Sequence, residues 1–265
     1  SRFFERQRPE WPQWTQREYH ARTRGWLVQE IVIRSTHPKM TMGQFIQNEI
    51  CLPLNIDGLF LGLPAAELHR TADHRVPWSW WAIVHSLLPF GRRGGVGPCA
   101  VLWPVAAALW FGRKFILDIH MFPSLHDDPI RHFNHPKARS LEIPSINVHA
   151  NAKSLAKLMS VLSQGGGPLF RHKDTWSKAL GNPSLKSMVL VRDFALRTKF
   201  TNAGFHIYDE ETFQDRGGFV GWAGLGGSCV QFHPDLRIGF AFTGTQMTSV
   251  LDPNSHSWRL QRQVL

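Results

Sequence analysis

An α+β domain is predicted, because helix-period segments occupy the first 165 residues or so and strand-like segments gather in the last third. The first helix runs from Thr23 to Arg34, where Leu27, Val28, Ile31 and Val32 recur at three- and four-residue spacing and share one face; His37-Pro38 ends it. The second starts at Thr41, whose hydroxyl can cap free amides while Gln44, three residues on, reaches back in a capping box. Phe45, Ile46 and Ile50 form its apolar stripe, and Pro53 stops it. From Gly58 to about Ile143 the period is lost among Pro, Gly, His and Trp, which predicts loops and short helices wrapped on a core. Asn147 to Leu162 is the third helix, with Ala152, Leu155, Met159 and Leu162 on one side and a stop at Gly165-Gly166-Gly167. Strands follow at Gly218 to Ala223, Cys229 to Phe232 and Ile238 to Thr243, the last two joined by the turn His233-Pro234-Asp235. A closing helix runs from Ser257 to Val264.

At 265 residues and 43% hydrophobic, the chain can fill the core of one domain. Its formal charge of +10 is compatible with anionic partners, but the basic residues are scattered from Arg2 to Arg262 and no RNP, zinc-finger or basic-zipper spacing occurs, so no nucleic-acid partner is expected. Cys51, Cys99 and Cys229 are odd in number, with no CxxC, and read as small buried hydrophobes. Val96 to Phe111 is apolar but only about sixteen residues long and holds Pro98 and Pro104, so a buried or lid-like segment is favoured over membrane association. The opening Ser1-Arg-Phe-Phe-Glu-Arg-Gln-Arg is not a signal peptide and suggests a fragment. Compartment and oligomeric state are not fixed by these features.

Four motifs in order carry a resemblance. Tyr19-His20-Ala21-Arg22-Thr23-Arg24-Gly25-Trp26-Leu27-Val28 comes first, then Ile46 to Ile56 with Pro53-Leu54-Asn55-Ile56, followed by Gly62-Leu63-Pro64, Glu67, His69 and Arg70. Glu142-Ile143-Pro144-Ser145-Ile146-Asn147 with Ala152 and Leu155-Ala156-Lys157-Leu158 is third. Gly221-Trp222-Ala223-Gly224-Leu225-Gly226-Gly227-Ser228, with Phe232, Pro234 and Ile238-Gly239-Phe240-Ala241-Phe242, is fourth. Together they resemble beta-lactamase-related serine hydrolases of the animal LACTB and bacterial esterase type, over nearly the whole chain.

The resemblance implies a beta-lactamase/transpeptidase-like α+β fold: an antiparallel sheet flanked by helices plus a mostly helical region, here incomplete at the N-terminus. Residues 1–165 would form the helical and loop region, with an insertion at about 77–122, and 166–265 the sheet region with its C-terminal helix. The implied chemistry is acyl transfer on an ester, amide or peptide bond: a serine in S-x-x-K attacks, the lysine one turn away and a tyrosine handle the proton, and two backbone amides hold the oxyanion. Carried over, Tyr19 is the tyrosine base, Trp222-Ala223-Gly224 is the third motif, and Leu225 supplies the second oxyanion amide. Asn147 and His20 line the pocket. Trp222 stands where the family more often has His or Lys, so a substrate carboxylate finds no cation there. The expected partner is a small-molecule or peptide acyl substrate, with no metal and no cofactor. S-x-x-K would precede Tyr19 and does not, so the chain is expected to lack its nucleophile and to be inactive alone, with a non-catalytic binding or scaffold role as the alternative.

Remaining constellations read as structural. Ser154-Leu155-Ala156-Lys157 is the one literal S-x-x-K, but Ser154 and Lys157 fall opposite the apolar stripe, predicting a solvated helix face. His120, His126, Asp127, Asp128, His132 and His135 match no common metal-site spacing. Gly95 to Ala100 satisfies a loose G-x-G-x-x-A, yet no strand precedes it; Gly227-Ser228-Cys229 lacks the nucleophile-elbow pattern.

Overall fold

The computed structural model describes residues 5–6, 8, 12, 17–20, 23–75, 133–181, 183–191, 194–208, 217–224, 226–246 and 255–265. In chain order, β1 (Arg17–Glu18) precedes α1 (Thr23–Ser35). A composite helix α2 follows, built of Met42–Phe45, a π-helical turn at Ile46–Cys51, and Leu52–Leu54. Next come β2 (Leu59–Leu61), a 3₁₀ turn at Ala65–Arg70, α3 (Pro136–Ser140), β3 (Val148–Ala150), α4 (Ala152–Ser163) and α5 (Lys173–Leu180). The last part holds β4 (Ser184–Val191), β5 (Phe194–Phe200), β6 (His206–Ile207), β7 (Val220–Ala223), β8 (Cys229–His233), β9 (Ile238–Phe242) and α6 (His256–Gln261).

The main sheet has the order β1-β4-β5-β6-β7-β8-β9 and is antiparallel apart from the β1–β4 pair; β2 and β3 form a separate antiparallel pair. Successive β8 side chains alternate between faces. Val230 and Phe232 join the clusters around Leu155 and Met159 of α4, whereas Gln231 bonds Gln261 of α6, which places helices on opposite faces of the sheet. This is the expected flanked-sheet α+β architecture.

The capping box at Thr41 forms as expected: Gln44 N–H donates to Thr41 Oγ1 at 3.2 Å and Thr41 N–H to Gln44 Oε1 at 2.9 Å. Pro53, however, does not stop the helix, which continues to Leu54 and turns at Asn55 in the left-handed region. The π-turn explains this, since Leu52 N–H already reaches Gln47 O five residues back, so the ladder is displaced before a proline could break it. The third helix starts later than expected. Val148–Ala150 instead pairs with Leu59–Leu61, and Asn151 caps the helix by accepting from Ser154 N–H at 2.8 Å. The strand signal missed β1, β2, β4, β5 and β6.

The helix α4 is the centre of the molecule. One side packs with Cys51, Leu54, Ile56 and Leu59, the other with Trp176, Val220 and Phe232. Ser154 is buried, at 4% exposure, and not on a solvated face as the helical wheel implied; Gly58, just before β2, lies so close that a Cβ there would be 3.0 Å from the Ser154 Oγ. Lys157 donates to Asn55 O at 3.0 Å. Cys51 and Cys229 are buried, at 2% and 1% exposure.

Arg139 fastens the stems on either side of residues 76–132. It is 6% exposed and donates from Nη2 to Asp73 Oδ1 at 2.8 Å and from Nη1 to Thr71 Oγ1 at 3.0 Å. Asn134 closes the same joint by exchanging two bonds with the His74 backbone, at 2.8 and 2.9 Å. Replacing Arg139 by Gln removes the buried end of an ion pair whose other end, Asp73, is exposed, and takes a donor from half-buried Thr71 and Asn134, so we expect a loss of about 1–2 kcal/mol in urea denaturation. A midpoint equal to that of the wild type would refute this.

His149, on β3, has its Nδ1 buried without a hydrogen-bond partner. Burial above all holds its titration below the ordinary 6.5; an upward pull from the Asn147 backbone opposes it, and weaker repulsion from Arg139 and then His74 adds to the lowering. As pH falls the unfolded chain takes up this proton before the folded one, so stability is full above about pH 6.5 and declines below it. The urea midpoint is expected to drop between pH 7.5 and 5.5, and His149→Phe to flatten that dependence; an equal slope in both proteins would count against it.

Candidate active site

The sheet edge near Trp222 and the segment after β1 meet at one corner. β1 lies parallel to β4, with Arg17 opposite Met188 and Glu18 opposite Val189, and the chain then turns into α1 at Thr23. The turn is held by His20 Nδ1 at 2.8 Å from Thr23 Oγ1. Gly25, the second link, donates from its N–H to Ser145 Oγ at 2.9 Å; a Cβ there would lie 2.4 Å from that oxygen, so only glycine admits the contact. Tyr19, between these anchors, is 41% exposed.

Trp222 is positioned by β7, where it faces Val230 of β8. Its ring lies 6.2 Å from that of Tyr19, at an interplanar angle of 15°, and on another side 5.6 Å from Phe200 at 27°. His206 approaches edge-on, 5.6 Å from Trp222 and 4.5 Å from Tyr208. The corner is thus a ladder of rings, Tyr19–Trp222–Phe200, with an imidazole against its side. Phe200, His206 and Tyr208 were not singled out in the sequence. The available signal was the two-residue spacing of His206 and Tyr208, which puts both on one strand face.

Beyond Trp222, Gly224 N–H donates to Ser228 O at 2.7 Å and Gly227 N–H to Gly224 O at 2.9 Å, which makes the tight turn between β7 and β8. The Gly224 amide is therefore committed within the turn. Leu225, the expected oxyanion donor, lies outside the described residues. Asn147 is buried and its amide serves the 138–143 loop: Oδ1 accepts from Ile143 N–H at 2.9 Å, and Nδ2 donates to Ala138 O at 3.0 Å and to Leu141 O. Its placement is that of a loop brace, whereas Tyr19 and Trp222 meet at the ring corner, and His20, next in the chain to Tyr19, bonds Thr23.

Among the described residues, no three His, Cys, Asp or Glu side chains converge as a metal site, and no helix is long and apolar enough to cross a membrane. His135 caps α3, accepting from Lys137 N–H at 3.1 Å, while the other residues of the His-rich stretch from His120 to His132 lie outside the described residues. So do Cys99, the Val96 to Phe111 run, the Gly95 to Ala100 string and the insertion expected at about 77–122.

Comparison with known proteins bears on this geometry. The chain is 25% identical over 246 residues to the esterase/beta-lactamase LipL of Mycobacterium tuberculosis, covering 90% of this chain and 50% of LipL. A penicillin-binding protein homologue from Caulobacter crescentus superposes with a TM-score of 0.65 at 27% identity, over 96% of this chain and 60% of that one. A family VIII carboxylesterase shares the fold, with a TM-score of 0.62 at 18% identity, over 94% of this chain and 57% of that one. The chain thus spans about half of the curated relative and about 60% of the solved ones. The family model described as "Beta-lactamase" matches residues 1–264, and the flanked sheet agrees with it: the chain belongs to the beta-lactamase family.

Proposed function

We propose that Tyr19 and the β7 edge from Trp222 to Leu225 form two walls of an acyl-transfer site of the LACTB-like esterase type, in which a serine attacks an ester, amide or peptide carbonyl. The observation that carries the reading is the stacking of Tyr19 on Trp222, 6.2 Å between ring centres, which brings the segment after β1 to the third-motif strand. The exposed phenol takes the serine proton and returns it to the leaving group. The Leu225 amide is one of two donors to the oxyanion, since the Gly224 amide is spent on Ser228. His20 stands at the rim. Trp222 contributes a ring face and one neutral N–H, so a neutral acyl group suits the corner better than a carboxylate.

The serine of this mechanism is not Ser154, the chain's one S-x-x-K serine, because Ser154 is buried in the centre of the domain. Trp222, a neutral side chain at the third motif, favours a second reading, a binding or scaffold member in which the fold is kept without chemistry. The complete gene product treated with a fluorophosphonate and with a chromogenic ester separates the two. Acyl transfer predicts covalent labelling of a serine and a burst of alcohol release. A protein that takes no label and shows no burst, yet co-purifies with a stable partner, overturns it in favour of the scaffold reading.

A further inference from the structure

The corner around Trp222 also holds the imidazole of His206, to which neither the motifs nor the proposed chemistry gives a task. His206 lies on β6 with a partner in the sheet on either side, Phe200 of β5 and Gly221 of β7. Its ring stands 4.5 Å from that of Tyr208 at 70° and 5.4 Å from that of Phe200 at 50°. Tyr208 is itself fixed: it is buried, its N–H donates to Phe219 O and its carbonyl accepts from Gly218 N–H, both at 2.9 Å. Because Gly221 has no side chain, the way is open from His206 to the next residue along β7, Trp222, whose ring is 5.6 Å away at 75°.

The setting of the Trp222 ring depends on this neighbour. Tyr19 and Phe200 lie nearly parallel to it, at 15° and 27°. Parallel rings hold a plane against tilting and leave it free to slide within that plane, whereas a ring standing almost upright beside it stops the slide. His206 is the upright ring. Trp222 matters in turn to Tyr19, whose phenol is exposed and whose chain is anchored before and after it, by β1 and by His20 at Thr23, rather than at the ring. The Tyr19 ring therefore takes its direction from the stack on Trp222. We propose that His206 is a positioning residue for acyl transfer: it fixes the Trp222 ring and, through that ring, the direction of the Tyr19 hydroxyl. The inference rests on the acyl-transfer reading of this corner.

The test uses the complete gene product, with a chromogenic ester for turnover and 3-fluorotyrosine as the probe of the phenol, the Tyr19 fluorine resonance being the one that Tyr19→Phe removes. His206→Ala is expected to lower kcat about 10-fold while KM stays within about twofold, as when a reacting group is displaced without loss of substrate contacts. It is also expected to move the Tyr19 resonance toward that of free 3-fluorotyrosine. His206→Phe keeps an upright ring, and both kcat and the resonance are expected to return to near the wild-type values. Should His206→Ala not fold, His206→Leu fills the volume without a flat ring and carries the same expectation. A resonance that stays in place in these variants overturns the proposal, and so does an unchanged kcat in a variant whose resonance has moved. A phenylalanine variant as impaired as the alanine one overturns it as well, since the imidazole nitrogens and not the ring would then be at work. The two readings fail separately: turnover with an unmoved resonance sinks the positioning role alone, and a resonance that moves with alanine and returns with phenylalanine, in a protein that turns over no ester, sinks acyl transfer and leaves His206 as the support of the phenol.

Discussion

Replacing Gly239 by alanine is expected to destabilise the domain by about 3 kcal/mol or more, a large share of the 5–15 kcal/mol that a domain commonly has. A Cβ at this position on β9 would lie 2.2 Å from the backbone nitrogen of Ser160, 2.6 Å from the carbonyl oxygen of Ala156 and 2.7 Å from the carbonyl carbon of Met159. All three belong to the α4 backbone, so no side-chain rotation relieves the overlap and the whole helix must move off the sheet. Moving it opens both clusters that α4 joins, the one around Cys51 and Leu59 and the one around Trp176 and Phe232. Urea denaturation followed by far-UV circular dichroism checks the expectation; a midpoint within error of the wild type would show that α4 and β9 are less tightly apposed than described.

Tyr19→Phe in the complete gene product is expected to lower turnover of a chromogenic ester by about 10²–10⁴-fold, the usual share of a positioned proton-transfer group. The ring is kept, so the stack on Trp222 at 6.2 Å survives and the substrate-binding face is intact. KM is therefore expected to change little while kcat falls, the signature of an interaction made in the transition state. With Tyr19 41% exposed, loss of the hydroxyl is expected to shift stability by no more than about 0.5 kcal/mol, which separates a chemical defect from a folding one. Equal kcat values for the two proteins would remove Tyr19 from the reaction.

Local signals in the sequence were the ones that carried through. The capping box at Thr41 and Gln44, the glycine stop after α4 and the three C-terminal strands each depend on residues a few positions apart. What was lost depends on distant partners. Val148–Ala150 is a strand because Leu59–Leu61 lies beside it, and buried Ser154 has Gly58, from a distant part of the chain, against its hydroxyl. The strands β4 and β5 carry Lys186, Arg197 and Lys199 among their apolar residues, and their period shows only once they pair. At the site, Tyr19 and Trp222 were reached through motif order, whereas Phe200 and His206 come to Trp222 through pairing of Phe200 with His206 and of His206 with Gly221, which no short window of sequence contains.

A crystal structure of the complete gene product after reaction with a fluorophosphonate tests the ring corner as the place of chemistry. The expected result is an adduct on a serine whose phosphonyl group sits within about 3 Å of the Tyr19 hydroxyl and of the Leu225 amide, with Trp222 against the substrate chain. An adduct on a serine elsewhere, or a phenol turned away from Trp222 with the adduct bound, would contradict it.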